Sequence, residues 1–139
     1  MHRRDEHGTV VLWVLGLCVV IFFLGGIALD LWRGIATRRE LSAMADAVAT
    51  ASANGVDEGA LRAGGAVALD PTRARAIANE TLARDSRARR LDGVEVDVGA
   101  DEVMVRLRDT VHFSLLGIFV HGDPFTVTAT ATASPQLRP

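Results

Sequence analysis

The residues with the greatest potential for chemistry in this sequence are its histidines, serines and acidic side chains. The histidines are His2, His7, His112 and His121. Their spacing includes no His-Glu-x-x-His arrangement, which would bring two imidazoles to one side of a zinc ion. The sequence also contains no Gly-x-Ser-x-Gly elbow and no phosphate-binding loop. We therefore predict no catalytic residues, cofactor, metal site, enzymatic activity or small-molecule substrate.

The charged residues are nearly balanced, with a formal net charge of −2, and all 15 basic residues are arginines. The densest basic cluster consists of Arg84, Arg87, Arg89 and Arg90. Cations are favourable at the C-terminus of a helix, so a solvated helix end explains this cluster. Contact with lipid head groups or an acidic partner is the alternative. Because there is no strongly basic segment, we predict no binding to nucleic acid.

An uncharged and almost wholly apolar run covers residues 9–29. A helix of this length rises about 31 Å, which matches the hydrocarbon core of a bilayer. Its aliphatic and Phe side chains favour insertion by about 4–8 kcal/mol. Trp13 and Trp32 lie near its two ends, where indole rings prefer the lipid interface. These features predict a transmembrane helix and a location in the plasma membrane.

Two other interpretations of the run concern processing. Gly26-Ile27-Ala28 could serve as a signal-peptidase site, but the run exceeds the 7–15 apolar residues of a secretory signal. Leu17 precedes Cys18, whereas a lipoprotein signal has a small residue there. Arginines flank the run on both sides, so charge alone leaves the orientation open. The size of the following domain favours a single-pass protein with an extracytoplasmic C-terminal domain.

The helical pattern continues beyond the apolar run. Apolar and small residues recur at Leu31, Ile35, Leu41, Ala45, Val48 and Ser52, with a slip in spacing around Arg38-Arg39. Asn54-Gly55 favours a helix end, since both residues tolerate the left-handed conformation. The small side chains of this segment would let another helix approach closely. We predict that the helix from Asp30 to Ala53 binds a partner, with possible contacts at Arg38, Arg39, Asp46, Ala47 and Ala49.

The remaining residues predict a shorter helix and a small antiparallel sheet. Asp70-Pro71 is a strong helix start, and Asp92-Gly93 places the helix end near Arg90. Alternating apolar residues predict strands at 94–98, 103–107 and 125–133. Residues 111–120 are apolar and could form a strand, a loop or an interfacial patch. The expected fold class is α+β, divided into a tail (1–8), a transmembrane helix (9–29), a helical extension (30–55) and a small domain (56–139).

Several short motifs together resemble the TadE/TadG-like proteins of Flp (tight adherence) pilus assembly, in an actinobacterial version. Gly8 opens the apolar run and Ile27-Ala28-Leu29-Asp30 closes it. Arg38-Arg39-Glu40-Leu41 then precedes Ala45-Asp46-Ala47 in an Ala-rich helix. The similarity is greatest over residues 3–55, and Leu69-Asp70-Pro71 and the Thr/Ala-rich C-terminal strand also fit.

The resemblance implies a pilin-like or pilus-assembly protein of the cell envelope, without enzymatic activity, whose partners are the bilayer and other pilus-assembly proteins. It also makes Gly8 and Thr9 a possible leader-peptidase boundary. Pilins and pseudopilins tend to carry Glu five residues after that boundary, where this chain has Trp13. We therefore expect an uncleaved, TadG-like assembly role. The alternative function is a membrane-anchored binding or sensory module.

Overall fold

A computed structural model describes residues 5–62, 67–115, 117 and 124–135 of the chain. The long helix α1 (Asp5–Ser52) is followed by the short helix α2 (Glu58–Arg62) and by α3 (Pro71–Arg84). A turn of 3-10 helix at Ala88–Arg90 then leads into strands β1 (Gly93–Val98), β2 (Val103–Val111) and β3 (Phe125–Ala133). This order confirms the α+β class, with a long N-terminal apolar helix, a shorter helix and a small antiparallel sheet.

Helix α1 runs without interruption from the apolar segment into the centre of the domain. Its covered side is a continuous stripe at spacings of three and four. The half-buried or buried members are Gly26, Asp30, Gly34, Thr37, Leu41, Ala45, Val48 and Ser52. Leu31 and Ile35 are instead half exposed. The apparent slip in the sequence pattern arises because small and polar residues, rather than these two, carry the stripe before Leu41.

Two predicted segment boundaries do not coincide with the ends of structural elements. The helix already begins at Asp5, so the last part of the predicted 1–8 tail is helical. The boundary between 30–55 and 56–139 does not separate two structural units, because Leu41, Val48 and Ala49 of α1 belong to the same buried core as the sheet. The domain at the end of the membrane-type segment therefore includes the second half of α1.

The strands form a sheet in the order β1-β2-β3 within the described residues, and both pairings are antiparallel. The predicted hairpin is confirmed: Val98 lies opposite Val103, and the Gly99 backbone N–H donates to the Glu102 carbonyl at 2.8 Å. Every second residue of β2 faces α1 and is fully buried at Val103, Val105 and Leu107. The outer face of the sheet is mostly polar, since the intervening residues of β2 are Arg106, Arg108 and Thr110, with Met104 as the apolar exception.

Helix α3 begins where the sequence predicts. Asp70 is the N-cap, and its Oδ1 accepts hydrogen bonds from the backbone N–H groups of Thr72 at 2.9 Å and Arg73 at 3.2 Å. Pro71 occupies the first turn, where a missing N–H costs nothing. The helix ends at Arg84 rather than near Arg90, because the chain turns at Asp85 and forms a separate 3-10 turn.

The core lies between α1 and α3 on one side and the sheet on the other. Ala74 and Ala78 of α3 are fully buried beside Ala45 and Ala49 of α1. Small side chains at these positions let the two helices approach each other and the sheet closely. At Gly55, just beyond α1, an added Cβ would lie 2.8 Å from the Ala74 backbone. Glycine is therefore required there by the close passage of the chain past α3.

Candidate membrane and partner surfaces

The first half of α1 is uncovered by the rest of the described protein. It contains a segment long and apolar enough to cross a bilayer, with a mean hydropathy of 2.8 and none of that window buried. Large side chains such as Trp13 and Phe22 are more than three-quarters exposed. A surface of this kind is unfavourable in water, since extended apolar patches mark contacts with lipid or protein.

Gly8 and Thr9, the possible processing boundary, both lie within the first turns of α1 and are exposed. An added Cβ at Gly8 would contact nothing within 4 Å. The position is therefore open to solvent or lipid. The absence of cleavage at Gly8 remains a prediction from the sequence.

The free side of α1 has a shallow, open groove between neighbouring side chains of the helix itself. The lining residues are Ile35, Arg38, Arg39, Ser42, Ala43 and Asp46. The groove exists because the stripe that packs on the sheet occupies the other side of the helix, so these side chains point away from the domain. Arg38, Arg39 and Asp46, which the sequence predicts as partner contacts, are all exposed on this surface.

The two predicted alanine contacts fall on different sides of the helix. Ala47 is exposed, in agreement with a position available to a partner. Ala49 is 1% exposed and lies in the core of the domain. The prediction that Ala49 contacts a partner is therefore wrong: two residues correspond to about 200° of rotation around an α-helix, which turns Ala49 from the free side to the packed side.

A buried carboxylate lies at the point where the apolar run ends. Asp30 is 2% exposed, and its Oδ2 accepts a hydrogen bond from the Leu115 backbone N–H at 2.7 Å. Its Oδ1 lies 3.8 Å from Nη1 of Arg33, one turn further along the helix. The same Arg33 Nη1 is 3.5 Å from Ser114 Oγ. These contacts fix the segment after β2 to the middle of α1.

Two glycines flank this carboxylate on the same face of α1, and an apolar side chain from the segment after β2 packs against each of them. An added Cβ at Gly26 would collide with Cδ1 of the Leu115 side chain. At Gly34 it would lie 3.5 Å from the ring of Phe113. Phe113 in turn packs against Phe125, with ring centroids 5.9 Å apart. We name Gly26, Asp30 and Gly34, with Phe113–Leu115 (113–115), the exit cluster.

The sequence predictions assigned no role to the exit cluster, although a signal for it was present. Gly26, Asp30 and Gly34 are spaced by four residues, which places them in a row on one helix face. A carboxylate between two glycines at the end of an apolar run indicates a contact with another backbone. The partner segment, 113–115, could not be identified from spacing, because it is distant in sequence.

The arginine cluster is exposed, which agrees with both of its interpretations, and of its members only Arg84 belongs to α3. All four side chains are exposed. Arg84 pairs with Glu80 at 2.6 Å and Arg87 with Asp85 at 2.7 Å. Hydrogen bonds from the Arg87 side chain and backbone N–H lower the pKa of Asp85 to about 2. Pairs of this kind at a surface contribute little to stability.

Among residues 5–62, 67–115, 117 and 124–135, no three His, Cys, Asp or Glu side chains come together in a group that could hold a metal ion. His2 and His121 lie outside these ranges. Comparisons with protein-family models, curated proteins and solved structures gave no match to this chain. A function for this chain is therefore inferred from its surfaces and their chemistry.

Proposed function

We propose that this chain is a non-enzymatic, single-pass membrane protein that serves as a structural or assembly component of an Flp/Tad-type pilus or secretion apparatus in the cell envelope. The observation that carries the proposal is the course of α1. It passes from a fully exposed apolar segment into the core of a small α+β domain, while its opposite face stays uncovered. An uncovered helix face next to the bilayer is available to other membrane-bound components.

The residues of that face suit a helix–helix contact. Ser42, Ala43 and Ala47 have short side chains, so a second helix can approach closely with little loss of side-chain entropy. Arg38 and Asp46 could fix the register of such a contact by charge pairing. Exposed ion pairs are worth about 0–1 kcal/mol, so most of the affinity would come from packing in the groove.

The proposed partner contact is tested by filling the groove in the native host. Ala43→Trp places an indole in the groove, and Ala76→Trp is the matched control, since Ala76 is exposed on α3. We expect Ala43→Trp to reduce both the number of piliated cells and the co-purification of polytopic pilus-assembly proteins from detergent extracts. Membrane levels of the two variants should be equal. Normal piliation with Ala43→Trp would contradict an assembly role for this face.

The proposed orientation has its own test in intact cells. In a Cys18→Ala background, a cysteine at Asp101, in the exposed turn between β1 and β2, should react with a membrane-impermeant maleimide added outside. Reaction only after cell lysis would place the domain in the cytoplasm. Correct orientation with an unchanged assembly phenotype would favour the alternative, a membrane-anchored binding or sensory module.

A further inference from the structure

The exit cluster lies at the level where the proposed transmembrane segment ends. Gly26 is three residues before Leu29, the last residue of the apolar run, and four before Asp30. At 1.5 Å per residue, the Leu115 side chain, which contacts the Gly26 position, lies about 6 Å toward the bilayer from Asp30. Apolar groups of interfacial segments reach about 5–10 Å into the boundary between head groups and acyl chains.

The surface of α1 around this level is apolar on the side that the domain leaves free. Leu31 and Ile35 are about half exposed, and Trp32 is 68% exposed. These residues extend the lipid-compatible surface of the run beyond Asp30. Asp30 would interrupt that surface with a charge, but its carboxylate is covered by the chain segment that carries Leu115.

The exit cluster therefore brings a second apolar element to the membrane boundary beside α1. Phe113 rests on Gly34 and Leu115 on Gly26, one on each side of the Asp30 hydrogen bond. In sequence, the residues that follow are also apolar: Leu116, Ile118, Phe119 and Val120. Charged residues are absent from the sequence between Asp109 and Asp123.

We infer that the residues just after β2, 113–115, form a second membrane contact, in which Leu115 enters the lipid interface next to α1 while Phe113 holds this stretch against Gly34 and the domain core. The inference rests on the proposed transmembrane role of α1. Its occupant is the bilayer surface, because Gly26, the contact partner of Leu115, lies within the apolar run. With two points of contact, the domain has a fixed tilt on the membrane instead of swinging about a single helix.

Depth measurements by electron paramagnetic resonance test the inference on the full-length protein in phosphatidylcholine/phosphatidylglycerol vesicles. One spin label is placed on native Cys18, and the others on Ser114→Cys or Asp101→Cys in a Cys18→Ala background. Oxygen concentrates in lipid and a nickel chelate stays in water, so their collision rates report depth. We expect the label at 114, like that at 18, to collide more with oxygen, and the label at 101 to collide more with nickel.

The outcomes separate the two proposals. An oxygen-favouring label at 18 with a water-like label at 114 would overturn the second contact and leave the anchor intact. A water-like label at 18 would overturn the anchor and, with it, this inference.

Matched glycine variants supply a further check, because Gly26→Leu collides with Leu115 whereas Gly25 faces open space. Gly26→Leu should shift the label at 114 toward water, and Gly25→Leu should not. Equal depth at 114 in both variants would contradict the packing of Leu115 on Gly26.

Discussion

The two halves of helix α1 have the same backbone structure and opposite relations to their surroundings. In the first half, large apolar side chains point in every direction and none is buried by the domain. In the second half, one side is buried and rich in small residues, while the other carries Arg38, Arg39 and Asp46. The comparison teaches that side-chain size and polarity, and not helix continuity, determine whether the domain covers a segment or leaves it exposed. The change occurs at the exit cluster.

The strongest test of this contrast concerns the second half, where two nearby alanines face opposite sides. Ala49→Trp forces an indole into a closed core site and should destabilise the domain by about 3 kcal/mol or more, the upper range for overpacked cores. Ala47→Trp, on the exposed side, should change stability by about 0.5 kcal/mol or less. Thermal unfolding of the detergent-solubilised full-length protein measures both. Equal melting temperatures would contradict the assigned rotation of α1.

In the first half, a charge is costly in lipid rather than in a protein core. Val20→Arg should make insertion less favourable by about 2.5–3.5 kcal/mol, without cancelling the full gain from the run. The carbonate-resistant membrane fraction should therefore fall but not vanish. The control is Ser42→Arg, on the exposed part of α1 beyond the run, which should leave that fraction unchanged. An unaffected Val20→Arg variant would argue against lipid around this half.

The domain also has features that do not depend on the membrane, and Asp70 is one of them. Asp70→Ala removes two hydrogen bonds to the first turn of α3 and should cost about 0.5–2 kcal/mol of unfolding free energy. Asp97→Ala, an exposed strand position, is the control, with an expected change of about 0.5 kcal/mol or less. Urea unfolding of the full-length protein in detergent would show the difference. The same midpoint for both variants would refute the capping role.

The smallest expected effect comes from acid. The pKa of Asp85 is lowered from 3.8 to about 2 in the folded protein, so its pairing with Arg87 stabilises the fold above about pH 4. That contribution is lost as the pH falls from about 4 to about 2. Asp85→Asn should remove this part of the acid dependence and slightly lower stability at pH 7. The melting temperatures of the wild-type protein and of Asp85→Asn are measured from pH 6 to pH 2. A constant difference between them over this range would contradict the lowered pKa of Asp85.

Local patterns were sufficient to predict much of the fold. The alternation in β2 and β3, the Asp70-Pro71 start of α3 and the helix end at Asn54-Gly55 each depend on neighbouring residues, and the structure confirms them. The core shared by residues on both sides of position 55 was not predicted, because contact between α1 and the sheet is a property of distant residues. A turn can be predicted from a few neighbouring residues. Which distant residues pack into the same core cannot be predicted in this way.

For the candidate surfaces, too, local sequence patterns do not predict contacts between distant residues. Arg38, Arg39 and Asp46 are exposed, as their charge favours, and Ala47 is exposed beside them, but their contact with a partner remains a prediction. Ala49 was misplaced because alanine is compatible with both sides of a helix. The role of Asp30 was not foreseen, because its hydrogen-bond donor belongs to Leu115, which is far away in the sequence.

The central claim is that α1 is one rigid helix that joins a membrane segment to the domain core. The distance between spin labels at Ala28→Cys and Asp46→Cys, in a Cys18→Ala background in lipid vesicles, tests it most directly. Both positions are exposed and lie on the same side of the helix. We expect a single narrow distribution centred near about 27 Å between the two backbone positions, the length of 18 residues of continuous helix. A broad or clearly shorter distribution would reveal a bend or hinge between them and contradict the account.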